Sequence, residues 1–262
     1  MTMGDVQRGS RRILLVSGKM GAGKDTIAEP LAHALWPDRP VLRMAYADAL
    51  RDEVDKIVQI IKTTGDNVHR VDATDGGSSP AEPDGPFHAG DAAHEISKRL
   101  RCGSKDARGA VEILSKALAA DPGLNAHQHN VTMREMLQYW GTQVRRSRDE
   151  DYWTRLTGHR IQRVLRDSPD VVVVLTDGRF PNEVDLIHRL GGVTVRLDVS
   201  RDVQLQRLAC RDGAIPDPAK LDHVSETSLD GYDDFDHRVD VSWLDPSGVV
   251  WDCASALASI VS

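Results

Sequence analysis

The sequence predicts an α/β fold, a three-layer α/β/α sandwich on a five-stranded parallel sheet, within a single domain of 262 residues. Three features carry that expectation. Short apolar runs alternate with stretches of helical periodicity along most of the chain. One run, Val171 to Leu175, is apolar at every position, as a parallel strand covered on both faces must be. The first run passes through a glycine-rich turn directly into a helical pattern.

In chain order, Ile13 to Val16 reads as a short buried strand closed by Gly18, and Ile27, Leu31, Ala34 and Leu35 follow at helical spacing. Pro30 lies inside that helix, where it costs about 3 kcal/mol, and no function accounts for it. Val41 to Ala47 reads as a second strand, and Leu50, Val54, Ile57, Val58 and Ile61 as a second amphipathic helix. From Gly65 to Ala93 there is no Leu or Ile, and Gly, Pro and Ser are dense. That composition buries too little apolar surface to fix a conformation, so a flexible insertion is expected at about 64–95. Helical patterning resumes at Ile96 to Leu100 and Val111 to Leu118, then strongly at Met133, Met136, Leu137 and Trp140, and again from Tyr152 to Leu165. After the central strand, Val193, Val195, Leu197 and Val199 alternate with polar residues, which places that strand half exposed and near an edge. Val239, Val241 and Trp243 supply a last strand, and Trp251 to Val261 a closing helix.

The formal charge of −7, from 33 Lys+Arg against 40 Asp+Glu, argues against nucleic acid or a membrane surface as partner, since both polyanions require a broadly basic face. No apolar run approaches the ~20 residues of a membrane span. The apolar segment after Arg11 and Arg12 is too short for a signal peptide. Cys102, Cys210 and Cys253 are odd in number and far apart, with no metal-ligand spacing, so a reduced intracellular chain is expected. Of the 33 cations 25 are Arg, and 14 of these lie between Arg134 and Arg211 with no Lys among them. Arg forks grip phosphate oxygens bidentately, so the excess hints at phosphate chemistry; a compositional bias toward Ala, Asp, Val and Arg explains it equally well until motifs are weighed.

The strongest motif is Gly18-Lys19-Met20-Gly21-Ala22-Gly23-Lys24-Asp25-Thr26, between the first strand and the first helix. This is a P-loop: glycines let backbone N–H groups turn inward around a phosphate, the helix N-terminus adds positive potential, and the lysine reaches the outer phosphates. The generic pattern has Ser or Thr directly after the lysine as a Mg2+ ligand. Here Asp25 stands there and Thr26 follows, so either Asp25 holds the metal through water while Thr26 reaches a phosphate, or the metal sits differently.

A second constellation is Arg134-Glu-Met-Leu-Gln138-Tyr-Trp-Gly141-Thr142, in which Arg134 and Gln138 share a face opposite the Met/Leu/Trp stripe. Alone it reads as well as solvated charge. Thr176-Asp177-Gly178-Arg179-Phe180-Pro181-Asn182-Glu183 follows the central strand, at the strand ends where open α/β sheets bind ligands. Asp177 there suits ordering of Mg2+ or its waters and Arg179 neutralisation of a transferred phosphoryl, unless Asp177 only caps the next helix. Arg207 and Arg211, one turn apart before a loop with Pro216 and Pro218, suit a lid over about 201–227 or a plain solvated helix. His223 in the following His223-Val-Ser225-Glu226 is given no catalytic role, because phosphoryl transfer leaves a base little to do.

Together these motifs resemble the bacteriophage deoxynucleoside monophosphate kinases of the P-loop nucleoside monophosphate kinase group: Ser-Gly-x-x-x-x-Gly-Lys-Asp-Thr at Ser17 to Thr26, Arg-x-x-x-Gln-x-x-Gly-Thr at Arg134 to Thr142, Tyr152-Trp153, Thr-Asp-x-Arg-x-x-x-Glu at Thr176 to Glu183, and the late His-x-Ser-Glu. The aspartate after the P-loop lysine is shared with that family. The resemblance implies that fold type and transfer of the ATP γ-phosphoryl to a deoxynucleoside 5′-monophosphate (dNMP), with Mg2+ near Asp25 and Thr26. By position, the P-loop from Gly18 to Thr26 would hold the ATP phosphates, with Arg207 and Arg211 in the lid. Arg51 and Arg134 would take the acceptor phosphate, and Gln138, Gly141, Thr142 and Trp153 the deoxynucleoside, in a helical acceptor region at about 94–166. Asp177, Arg179 and Glu183 would line the acceptor site, with Lys24, Asp177 and Arg179 as the catalytic set. Arg70 would contribute from the insertion, though no motif supports it. The cytoplasm, of a host cell if the gene is a phage's, and a homodimer are compatible with this resemblance. Two readings stay beside it: a P-loop kinase for another small acceptor such as dephospho-coenzyme A or phosphomevalonate, and a nucleotide-dependent regulatory protein.

Overall fold

The computed structural model describes residues 12–71, 89–128, 130–213, 217 and 221–261, with the backbone alone for 65–71 and 89. The centre of the expected insertion (72–88), the Arg70 side chain, Pro216 and Pro218 lie outside the described residues. The chain divides into two compact units: one runs to Tyr46 and resumes at Thr154, and the other is Ala47–Trp153.

The first unit holds the sheet. Its strands are β1 (Ile13–Gly18), β2 (Val41–Met44), β3 (Val172–Leu175), β4 (Val193–Asp198) and β5 (His237–Asp240), all parallel in the order β2-β3-β1-β4-β5. Because side chains alternate across a strand, β1 feeds both faces. Leu14 and Val16, with Val195 and Leu197, pack on Ile27 and Leu31 of α1 (Lys24–Leu35) and on Val249, Cys253 and Leu257 of α10 (Pro246–Val261). Ile13 and Leu15, with Val173 and Leu175, pack on Ile161 of α6 (Tyr152–Asp167) and on Val184 and Ile187 of α7 (Pro181–Arg189). Each such aliphatic side chain contributes about 1.5–3 kcal/mol on burial, so the three-layer sandwich is held from both sides. Among the described residues no helix is long and apolar enough to cross a membrane.

Several sequence expectations are corrected. β4 lies next to the edge strand β5, but it is buried instead of half exposed, its polar alternates Thr194 and Arg196 included. They tolerate burial because each has partners: Thr194 bonds to Asp236, and Arg196 to Ser17 with Asp198 and Asp230 alongside. β2 ends at Met44, because Tyr46 opens α2 (Tyr46–Val71) with its N–H donating to Asp177 Oδ1 at 3.0 Å. The last strand stops at Asp240, and Trp243 beyond it is 84% exposed. α1 continues through Pro30.

The second unit is helical: most of α2, then α3 (Ala89–Leu100), α4 (Ser104–Ala120), α5 (Val131–Gln138), a π-helix (Tyr139–Arg146) and the first residues of α6. α2 runs on to Val71 and α3 begins at Ala89, so the flanks of the expected flexible insertion are helical. Propagation from an anchored helix is cheap, and the anchors are Val54, Ile57 and Ile61 in α2 and Ala92, Ala93 and Ile96 in α3, all buried. Asn130 caps α5 by accepting the Met133 N–H at 2.7 Å.

Glu53 ties this unit together. Its buried carboxylate accepts from Trp140 Nε1 at 2.7 Å, Arg145 Nε at 2.8 Å and the Tyr152 hydroxyl, while Arg145 also donates to Leu100 O at 2.7 Å and lies over the Trp140 and Tyr152 rings. A buried ion pair is expensive to break singly, since one charge is left uncompensated. Glu53→Ala is therefore expected to cost about 3–5 kcal/mol in urea unfolding, with Glu53→Gln costing less; a loss below about 1 kcal/mol would place the stability of this unit elsewhere.

Candidate active site

At the carboxyl end of β1 the chain turns through Lys19 to Gly23 into α1, in the crevice where sheet order reverses. Three glycines are required here. A Cβ on Gly18 would stand 2.8 Å from Leu197 O, and Gly21 and Gly23 adopt φ +80° and +90° as the loop leads into the helix. The loop therefore sits close against β4, with the N-terminus of a twelve-residue helix beneath it. Lys24 opens that helix and folds back over the loop, donating to Gly18 O at 2.7 Å and Lys19 O at 2.9 Å. Burial, then the neighbouring Arg179, pulls its pKa down to about 8, while Glu226 and Asp25 act the other way.

The segment after β3 reaches the same end of the sheet. The Ser17 hydroxyl of β1 donates to Gly178 O at 2.9 Å and accepts from the buried Arg196 at 3.1 Å, stitching three strand ends together. Asp177 accepts from the Tyr46 N–H at the start of α2. The following helix, α7, is capped by Glu183, whose buried carboxylate accepts from Arg179 N at 2.7 Å and Phe180 N at 3.2 Å, with Pro181 at its first position. Glu183, expected at an acceptor surface, thus fixes the backbone of Arg179. Its carbonyl accepts from the Tyr46 hydroxyl at 2.6 Å.

Asp25 is exposed, and its Oδ1 accepts from Arg43 of β2 and from the Thr176 hydroxyl at 3.0 Å; Thr26 beside it is exposed too. A carboxylate and a hydroxyl side by side at this loop are hard oxygen donors that fit Mg2+. α8 (Arg201–Asp212) flanks the loop, with Gln204 Nε2 donating to Met20 O at 2.8 Å. Arg207 donates to Val241 O at 2.7 Å and to Gly21 O at 3.5 Å, whereas Arg211 is exposed and paired with the adjacent Asp212. Of the two lid candidates, only Arg207 touches the loop.

From the other side comes α9 (Val224–Thr227), whose contacts sequence reasoning did not identify. Glu226 is buried; it accepts from Met20 N at 2.8 Å and pairs with the Arg179 guanidinium. Asp230 pairs with Lys19 at 2.8 Å and with Arg196 at 3.5 Å. Glu226 was visible in the His-x-Ser-Glu run, but Asp230, Arg196 and Arg43 carry no local signal. His223 caps α9 through its own ring, accepting from Ser225 N.

The remaining expected residues belong to the second unit. Arg51 pairs loosely with Asp48 at 3.6 Å, and Arg134 and Gln138 are exposed on one face of α5. Gly141 and Thr142 lie in the π-helix, a wide turn that recurs at functional sites. Gly141 packs on Leu50, and Trp153 is buried with its Nε1 donating to Gly141 O at 3.1 Å, so its indole supports this turn.

No protein-family model and no curated protein sequence matches the chain. Among solved structures it is similar to a gluconokinase from Sinorhizobium meliloti 1021, at 17% identity over 97% of this chain and 95% of the other, with a TM-score of 0.40. It is similar also to an uncharacterized protein from Eubacterium ventriosum ATCC 27560, at 11% identity over 95% and 99% of the two chains and a TM-score of 0.39. A dephospho-CoA kinase from Campylobacter jejuni shares 12% identity over 95% and 97%, with a TM-score of 0.36.

Proposed function

We propose that this chain is a P-loop phosphotransferase that moves the γ-phosphoryl of ATP onto a deoxynucleoside 5′-monophosphate. The observation that carries the reading is the loop: backbone turned by glycines, a helix N-terminus behind it, and the half-buried Lys24 ammonium held next to Arg179. These positive groups are concentrated in one small region, and a polyphosphate is the ligand that satisfies them together. The dNMP acceptor rests on the motif resemblance alone.

In this mechanism Lys24 and the loop amides hold the ATP phosphates, and Arg179 offsets charge on the phosphoryl in flight. An acceptor phosphate oxygen forms the new P–O bond as the bond to the ADP leaving oxygen breaks in line. Arg51 and Arg134 hold the acceptor phosphate, while Gln138, Gly141, Thr142 and Trp153 serve the deoxynucleoside. Asp25 and Thr26 would hold Mg2+, whose contribution is charge neutralisation on the phosphate oxygens. Positioning and electrostatics supply the rate, with no covalent intermediate.

The test is ADP formation from ATP with dNMPs, NMPs, dephospho-coenzyme A and phosphomevalonate offered in turn. Turnover should depend on a dNMP and fall by about 10²–10³ or more in Lys24→Ala with the circular dichroism unchanged. Slow acceptor-independent hydrolysis would favour a regulatory protein, and turnover confined to a non-nucleotide acceptor another kinase.

A pH profile follows from Lys24. Its charged form does the binding, and its pKa is depressed to about 8. The kcat/KM for ATP is therefore expected to hold up to about pH 7 and to fall as pH rises through about 8, since that parameter reports free-enzyme groups. Lys24→Arg should remove this basic limb, because guanidinium stays charged. A wild-type profile flat to about pH 9.5 would contradict the assignment.

A further inference from the structure

Arg179 is held at both its backbone and its guanidinium. Glu183 takes its backbone N–H, Ser228 Oγ donates to its carbonyl, Ser225 O accepts from its Nη1 at 3.4 Å, and the Glu226 carboxylate pairs with its guanidinium. Three of these four partners lie in or directly after α9. The guanidinium is 39% exposed, whereas the Glu226 side chain is only 3% exposed. Glu226 is therefore the enclosed partner, and its second oxygen is spent on Met20 N of the phosphate loop. One buried carboxylate thus spans the loop and the cation set beside it.

We propose that Glu226 is a positioning residue that acts through Arg179, fixing the guanidinium at a set place relative to the phosphate loop. This inference rests on the phosphotransferase reading and adds to it the residue that aims the catalytic cation. A guanidinium at the end of three methylenes is otherwise a mobile charge, and misplacement by about 1 Å is enough to cost on the order of 10²-fold in rate. Two geometric features make Glu226 the aiming group. Its carboxylate is anchored at the Met20 amide, so it cannot follow Arg179 outward. Its helix is also tied to Arg179 through Ser225 O and Ser228, so the carboxylate and the backbone it steers move together. The opposite possibility is that Glu226 is an internal anion competing with ATP for Arg179, and the two differ in sign.

The experiment compares wild type, Glu226→Gln, Glu226→Asp, Arg179→Ala and the Glu226→Gln/Arg179→Ala double variant, with kcat and the KM for ATP measured separately. As a positioning residue, Glu226→Gln should lower kcat by roughly tenfold or more, with the KM for ATP changed less than about threefold. Glu226→Asp should recover part of that loss. The double variant should be no slower than Arg179→Ala, because the glutamate acts through the arginine. Additive losses, an unchanged kcat, or tighter ATP binding with faster turnover would each overturn the proposal. A readout free of catalysis separates its failure from failure of the phosphotransferase reading. In ligand-free protein the Met20 amide should exchange on the order of tenfold faster in Glu226→Ala than in wild type. If wild type turns over but that exchange is unchanged, the bridge is wrong and the phosphotransferase reading stands. If exchange accelerates but wild type transfers no phosphoryl group, the phosphotransferase reading fails, and with it the aiming role that rests upon it.

Discussion

A lysine ammonium held largely out of water at the positive end of a helix is the constraint on which the first unit depends. Lys24, the N-terminus of α1 and Arg179 all contribute positive potential to one small region, and burial there makes the charge on Lys24 costly. The chain offsets this with two carbonyls of the loop itself, with Asp25, and with the buried Glu226. That compensation is partial, as the depression of the Lys24 pKa to about 8 records. A region whose cations are only partly satisfied from within is disposed to take an anion from outside.

The rest of the unit serves that arrangement. Parallel strands bring the ends of β1, β3 and β4 to one edge, and the aliphatic layers above and below keep them there. The polar contacts then join those ends: Arg196 to Ser17, Ser17 to Gly178, Asp230 to Lys19, Glu226 to Met20. Close approach of Gly18 to Leu197 O leaves no room for a side chain, so the loop's position is set by β4 as much as by its own glycines. In the second unit Glu53 has a comparable place, as a carboxylate that joins α2, the π-helix and the start of α6.

How much of this was legible in the sequence depends on how local the signal is. The uniformly apolar run at Val171 to Leu175 gave a fully covered strand, and the glycine spacing of Gly18 to Lys24 gave the strand–loop–helix turn, because both are written in consecutive residues. Alternation in β4 misled, since Thr194 and Arg196 look like solvent-facing positions until their partners Asp236, Ser17 and Asp230 are brought in from far along the chain. Low apolar content beyond Gly65 suggested a loop, yet helix α2 continues through Val71 from its buried anchors. Glu226 was seen in its motif without a role, because its partners Met20 and Arg179 are 206 and 47 residues away. The division of the chain at Tyr46 and Trp153 had no sequence signal at all, falling inside or beside continuous helices.

The central claim is that the loop from Gly18 to Thr26 is where the phosphates of ATP are held. Hydrogen exchange read at that segment, with and without saturating ATP and Mg2+, tests it most directly. The account predicts slowed exchange of the amides from Gly21 to Thr26 on nucleotide addition, absent in Lys24→Ala. Nucleotide binding that leaves those amides unchanged, or protects a different segment alone, would contradict it.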